Sequence, residues 1–249
     1  MPFWGKQSNS EQSKSEQTND EEINGKQINA APAKRPVPLT LPGRHVTLVP
    51  LEPKVHGDSL FRQTTGVRND ALWRYLFEGP FTNRTDFHAH LVQKATSDVA
   101  VFFAILNNSS GSAVGYASFM RIEPEHRCME VGNILYSPIL QRTPAATETM
   151  YLMARHAFDD LGYRRYEWKC NALNEPSRRA ALRLGFQFEG IFRQHMIIKG
   201  ANRDSAWYSM LDGEWPTRKA NFERWLSPKN FDSGGKQLTS LSAMNRANP

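Results

Sequence analysis

Cysteine is nearly absent: the 249 residues hold two, Cys128 and Cys170, at a spacing that fits neither a disulfide framework nor a metal or redox motif. Both fall in stretches that read as strands, so two buried thiols in a reducing, cytoplasmic setting are expected. No apolar run reaches the roughly 18 residues that a membrane span needs. The first thirty residues lack the apolar core of a signal peptide, and their acidic residues argue against a mitochondrial presequence. The seven histidines include no helical i, i+4 pair, so no metal is expected. No Gly-Lys-Ser/Thr sequence of the Walker type occurs, which argues against nucleoside triphosphate hydrolysis. The net charge of +6 is diffuse, with no basic block interleaved with aromatics. An excess this diffuse suits an anionic small ligand about as well as nucleic acid, and the missing basic block makes nucleic acid the weaker expectation.

What is present is one domain's worth of apolar pattern between two polar ends. Residues 1–39 are rich in Ser, Gln, Asn, Lys and Glu without apolar periodicity and read as a disordered tail. Residues 40–228 read as the folded domain, and 229–249 as a loose C-terminal tail. Arg44–Leu51 alternates as a first strand. Lys54–Thr65, Asp70–Leu76 and a segment N-capped by Asn83 and running to Ala95 read as helices. Val99–Leu106 is a continuous apolar strand, Ser112–Ile122 returns beside it, and Cys128–Tyr136 follows as the fourth.

The stretch Glu130–Phe186 organises the rest. It predicts strand, turn, long helix, strand, Asn-led turn and short helix, an order that makes a right-handed crossover onto a parallel strand. Thr143-Pro144 opens the long helix and Gly162 ends it. Arg164–Cys170 is the fifth strand, and Asn174 opens the short helix Glu175–Leu184. A hairpin, Phe186–Ile198 and Asp204–Leu211, and a helix over Trp215–Leu226 close the domain. Two helix N-termini thus face one edge of the sheet. An anion is the natural occupant of such an edge, because unpaired N–H groups and about half a positive charge meet there.

Three segments carry a family resemblance: EVGNILYSPILQRTPAATET, then LGYRRYEWKCNALNEPSRRAALRLGFQFEGIFR, then RDSAWYSMLDGEW. In this order they resemble the acyl-CoA-binding core of the GNAT superfamily of N-acetyltransferases, closest to its ribosomal-protein acetyltransferase (RimJ/RimL-type) branch. Asn174-x-x-Ser177 followed by Gly185-Phe186-x-x-Glu189-Gly190 is the most specific part. The resemblance implies an α/β fold whose mixed sheet splays between the fourth and fifth strands, with helices on both faces. It implies acetyl-CoA as acyl donor. The pantetheine arm would lie along Asn133, Ile134, Leu135 and Tyr136, and the pyrophosphate over Gln141, Arg142, Thr143, Ala145 and Ala146. Pro144 stands where the family carries a glycine, and removes one N–H donor.

The reaction implied is direct attack of an amine on the thioester. Glu130 is the first candidate base, sharing a strand face with Gly132, Ile134 and Tyr136 by alternation. Pairing with an arginine such as Arg127 is its structural alternative. Glu167 and Asp204 are weaker candidates, expected to be ion-paired. Asn174 would touch the pantetheine or acetyl region as well as cap its helix. Ser177 would protonate or hydrogen-bond the departing thiolate. Many family members place a Tyr in that helix for this purpose; none stands between Asn174 and Leu184, so the alternative is that Ser177 only orients the cofactor. Trp73, Tyr75, Phe77, Phe81 and Phe119 are candidates for the acceptor pocket. The acceptor is expected to be a small-molecule amine, or else a protein N-terminus, and the protein a monomer or homodimer. A noncatalytic acetyl-CoA sensor is the alternative, which would keep the cradle and dispense with the base.

Overall fold

A computed structural model describes residues 28 and 31–247, and everything below lies in the compact unit that begins at Ala33. Most of the stretch expected to be disordered falls outside these residues. Its last part does not behave as a tail. The N–H of Ala33 donates to the Pro124 carbonyl (3.0 Å), that of Lys34 to Leu161 (3.2 Å), and Pro36 is buried.

The chain builds β1 (Leu41–Pro42), β2 (Val46–Pro50), α1 (Pro53–Thr64), a 3₁₀ segment (Val67–Trp73) and α2 (Arg84–Ala95). Then come β3 (Ala100–Asn107), β4 (Ala113–Glu123), β5 (Cys128–Tyr136) and α3 (Pro144–Arg155), which runs into a π turn over His156–Asp160. β6 (Arg165–Asn171), α4 (Glu175–Leu184), β7 (Gln187–Ile198), β8 (Ala201–Leu211), α5 (Trp215–Leu226) and α6 (Leu241–Ala247) complete it. The eight strands form one sheet in the order β1-β2-β3-β4-β5-β6-β8-β7, antiparallel except where β5 meets β6. The short β1 makes the expected fourth and fifth strands β5 and β6.

Local chemistry explains the helix starts. Asn83 Oδ1 accepts from the Asp86 N–H, Thr143 Oγ1 from Ala146, and Asn174 Oδ1 from Ser177. Each bond satisfies a donor that the helix leaves orphaned. Alternate residues of β3 then feed two apolar clusters on opposite faces of the sheet. Phe103 and Ile105 join α3 and α5 residues such as Met150, Met153 and Phe222, while Phe102 and Ala104 join Leu60, Phe87 and Leu91 from α1 and α2. Among the described residues the helices of the second face are α1 and α2, which pack against β3, β4 and the end of β5 and leave room for a polar surface beyond.

The C-terminal segment, expected to be loose, is ordered. Leu241 and Met244 of α6 are buried in the α3-side cluster. Asn245 donates to the Arg183 carbonyl (3.0 Å) and accepts from Asn221 (3.0 Å), knitting α6 to α4 and α5. Two apolar residues three apart are too short a pattern to stand out in a Ser-rich sequence.

Candidate active site

β5 and β6 pair over only four residue pairs, from Cys128↔Arg165 to Val131↔Trp168. β5 then continues along β4 to Tyr136 while β6 stays with β8. Beyond Val131 one edge of β5 therefore has no strand partner among the described residues, and its backbone groups are open to a ligand. A β-bulge sits on this free stretch. Ser118 pairs with Gly132 and Tyr116 with Leu135, three steps on β5 against two on β4, and Asn133 takes φ +50°. Asn133 Nδ2 donates to Ser118 Oγ (3.3 Å) and Met120 Sδ (3.4 Å).

The bulge corrects the expected facing of the strand. Alternation places Ile134 and Tyr136 on the face of Glu130, but the extra residue inverts parity past Asn133. Leu135 joins the α1/α2 cluster with Met120, whereas Ile134 and Tyr136 pack on the α3 side. The Tyr136 hydroxyl donates to the Ala146 carbonyl (3.2 Å).

The turn after β5 forms a cradle. The Leu140 and Gln141 amides bond to the Ser137 carbonyl, and the Gln141 side chain turns back to the Tyr136 carbonyl (3.1 Å). Arg142 adopts φ +60° and is exposed. Thr143 Oγ1 donates to Leu140 (2.6 Å) and accepts from Ala146 (3.2 Å), so the Ala146 amide is committed to the cap. The amides of Arg142, Thr143 and Ala145 have no partner among the described residues, and neither has the buried Ser137 hydroxyl. Three free donors at the start of a helix of twelve residues suit an anionic group. Pro144 removes a donor yet leaves three.

α4 opens next to β6. Besides its cap on Ser177, Asn174 keeps its side-chain N–H groups free among the described residues. Ser177 Oγ accepts from Trp168 Nε1 (3.0 Å) and so retains its own proton to donate.

The side on which the sequence places the acceptor is bracketed by three segments. The Tyr75 hydroxyl donates to the Leu173 carbonyl (3.1 Å), Lys199 Nζ to Trp73 (2.8 Å), and Arg203 lies over the Phe77 ring at 5.5 Å. Two of the expected aromatics are core, and a third, the half-buried Phe81, packs against the α1/α2 cluster. Trp73 is fully buried with Nε1 on the Thr64 carbonyl, Phe81 packs on it at 5.1 Å, and Phe119 belongs to the opposite face, against Phe103. Tyr75 and Phe77 remain at the opening. A cavity of about 710 Å³ runs from the bulge towards α2, lined in part by Phe77, Lys94, Phe102, Met120, Arg121 and Asn133.

Glu130 sits on the uncovered polar face, 3% exposed. Its Oε2 is 2.6 Å from Arg121 Nη1 and 3.2 Å from Lys169 Nζ, so its cations are not the expected Arg127, which bonds the Gly162 carbonyl instead. Lys169 also reaches Glu167 (2.6 Å), Arg165 Nε reaches Glu167 (2.6 Å), and Arg165 grips Glu189 at 2.6 Å. A continuous chain of alternating charges thus crosses the sheet from β4 to β7. Glu167 is ion-paired as expected; its own burial acts to raise its carboxyl, but Lys169 and Arg165 outweigh that and hold it below its usual range. Asp204, expected to be ion-paired, has no ion pair among the described residues. It accepts from the Gln194 amide (2.7 Å) and Asn202 (3.0 Å), the first of which does most to hold its carboxyl low.

Residues 45–187 match the acetyltransferase (GNAT) domain family. The chain belongs to the GNAT family of N-acetyltransferases. A GCN5-related N-acetyltransferase from Brucella melitensis is 45% identical, with a TM-score of 0.86 over 88% of this chain and 99% of that one. YoaA of Bacillus subtilis, which carries the name of an uncharacterized N-acetyltransferase, is 28% identical over 48% of this chain and 73% of its own length. YdaF of the same species, which carries the name of a ribosomal N-acetyltransferase, is 28% identical; the match spans 44% of this chain and 59% of YdaF. The resemblance read from the motifs and the mixed, splayed sheet both hold.

Neither thiol of this GNAT acetyltransferase is poised as a nucleophile. Burial, followed by Glu167, pushes Cys128 up to about 12, and burial raises Cys170. Cys128 is half-buried rather than buried. Four residues of the polar face were not singled out by motif or spacing: Arg121 as partner of Glu130, Lys169, Trp207 and His195. Lys169 had a signal, since Arg165, Glu167 and Lys169 alternate with Tyr166, Trp168 and Cys170. His195 had none, because bulges break alternation in β7.

Proposed function

We propose that the protein transfers an acetyl group from acetyl-CoA to a primary amine by direct attack on the thioester. The observation that carries this reading is the unpaired, bulged edge of β5 ending at three free amides on α3. Asn133–Tyr136 would hold the pantetheine arm, Arg142, Thr143 and Ala145 the pyrophosphate, and Asn174 the region near the thioester. Acetyl-CoA supplies an activated acyl group; the chain's own residues orient it, exclude water and manage protons. The amine is mostly protonated at neutral pH and must lose a proton to attack. The polar floor around Glu130 reaches the cavity beside Asn133 through Arg121, which pairs with Glu130 and lines that cavity. The raised thiols favour one-step transfer over an acetyl-cysteine intermediate. Ser177, which keeps a proton to donate, would assist the departing sulfur.

The cavity beside Asn133 favours a small amine as acceptor, since about 710 Å³ matches a drug-sized ligand. A protein N-terminus is the second reading, favoured by the name of YdaF. Calorimetry with CoA and free-thiol release across a panel of amines and N-terminal peptides test both. The expected result is CoA binding, with turnover on amines smaller than the cavity. Absence of CoA binding would sink the proposal, and turnover on peptides alone would reverse the choice of acceptor. Glu130→Gln is expected to leave CoA affinity near wild type and lower turnover; an unchanged rate would remove Glu130 from the chemistry.

A further inference from the structure

A second bulge brings an imidazole to the polar floor. β7 and β8 slip register between Phe192↔Ser205 and Met196↔Arg203, four steps on β7 against two on β8. Gln194 takes φ +50° at the slip, and Asp204 Oδ1 holds its amide at 2.7 Å. Bulges beside active sites commonly re-aim one side chain. The side chain re-aimed here is His195. Its ring centroid lies 5.9 Å from that of Trp207 and its Nδ1 is 2.9 Å from Ser205 Oγ. Trp207 in turn receives Lys169 Nζ over its ring at 3.7 Å, and that ammonium touches Glu130 at 3.2 Å. His195 is half-buried, and its Nε2 has no partner among the described residues.

Resting on the acetyl-transfer reading, we propose that His195 Nε2 accepts the proton released by the attacking amine, while Glu130 is a positioning residue that fixes Arg121 and Lys169. The hydrogen bonds allow this tautomer. A serine oxygen has two acceptor sites; Ser205 Oγ takes Arg203 Nε–H (3.2 Å) on one and His195 Nδ1–H on the other, leaving the Nε2 lone pair free. Glu130, by contrast, has two cations on one oxygen, and protonating it would weaken both ion pairs. The transfer balances simply. The amine nitrogen bonds to the acetyl carbon, the carbon–sulfur bond breaks, the amine's proton goes to Nε2, and the thiolate leaves to be protonated as CoA.

The groups around the ring keep it unprotonated. Burial lowers its pKa below 6.5, and Arg121 of β4, Arg203 of β8 and Lys169 of β6 lower it further, against a smaller opposing pull from Glu130 of β5. A neutral imidazole at pH 7 is ready to accept a proton.

The test compares His195→Gln with Glu130→Gln and reads the ring directly. His195→Gln should bind CoA as wild type does and lose about 10²–10⁴-fold in turnover. The limb of its kcat/KM profile lying below pH 6.5 should vanish, while Glu130→Gln keeps that limb at a lower plateau. Nitrogen NMR of the imidazole should show the Nδ1–H tautomer and titration below the usual histidine range. Turnover within twofold of wild type in His195→Gln, a retained low-pH limb, or an Nε2–H tautomer would each overturn the role. If wild type turns over no amine or peptide, the transfer reading falls with it; if wild type is active and His195→Gln equally so, only this inference falls.

Discussion

One carboxylate secures the beginning of the sheet. Glu148 projects from α3, 6% exposed, and accepts the amides of Arg44 (2.8 Å), His45 (2.6 Å) and Val46 (3.0 Å). Hydrogen bonds to a charged group are each worth about 1.5–3 kcal/mol, and losing the acceptor leaves the buried Val46 amide without one. Glu148→Ala should therefore lower stability by about 2–4 kcal/mol in urea titration. Gly43 serves the same joint: a Cβ there would meet the Glu148 carboxyl at 2.8 Å. His90 answers to pH. Burial, then Lys94, push it down to about 3, with Nε2 3.1 Å from the Tyr116 hydroxyl. Unfolded, it titrates near 6.5. Between those values the unfolded chain binds the extra proton, so stability from this group is full above pH 6.5 and lost as pH falls towards 3. The slope approaches about 1.4 kcal/mol per pH unit. Urea midpoints for wild type and His90→Gln at pH 7, 5.5 and 4.5 should converge as pH drops; parallel lines would contradict the assignment.

At the scale of elements, bulges decide the site and caps decide the helices. The caps were legible in the sequence because a side-chain oxygen and an amide three residues on form a local unit, as Asn83, Thr143 and Asn174 show. The bulges were not, because strand reading assumes strict alternation. Only Gly132-Asn133, two residues tolerant of unusual φ inside an apolar strand, hinted at the first. Likewise Trp73, Phe81 and Phe119 were expected at the acceptor pocket but pack into the apolar clusters, because an aromatic's type does not tell which side of the sheet it will fill. The bulge makes its own prediction. A β-branched residue at φ +50° costs about 1–2 kcal/mol. Asn133→Val should lose that stability and weaken CoA binding, while Asn133→Gly should bind CoA near wild type. Equal affinities by calorimetry would detach the bulge from the donor site.

The whole molecule depends on its last helix more than composition suggests. Removing residues from Ser240 onward exposes the groove that Leu241 and Met244 fill and frees the Arg183 and Asn221 partners of Asn245. Burying each apolar side chain is worth about 1.5–3 kcal/mol, so the truncated chain should lose roughly 3–6 kcal/mol. Thermal unfolding would register this as a clear fall in midpoint.

The chain of charges from Arg121 to Glu189 has a kinetic consequence. Its three cations and three carboxylates sum to zero, whereas the protein as a whole carries +6. A polyanionic donor is drawn in by the global field, and added salt screens that attraction within about a Debye length. On the acetyl-transfer reading proposed above, an amine would meet a self-neutralised floor and gain little from long-range steering. Ionic strength should therefore separate the two substrates: raising salt from 50 to about 500 mM, where screening is nearly complete, should increase KM for acetyl-CoA while leaving KM for the amine nearly constant.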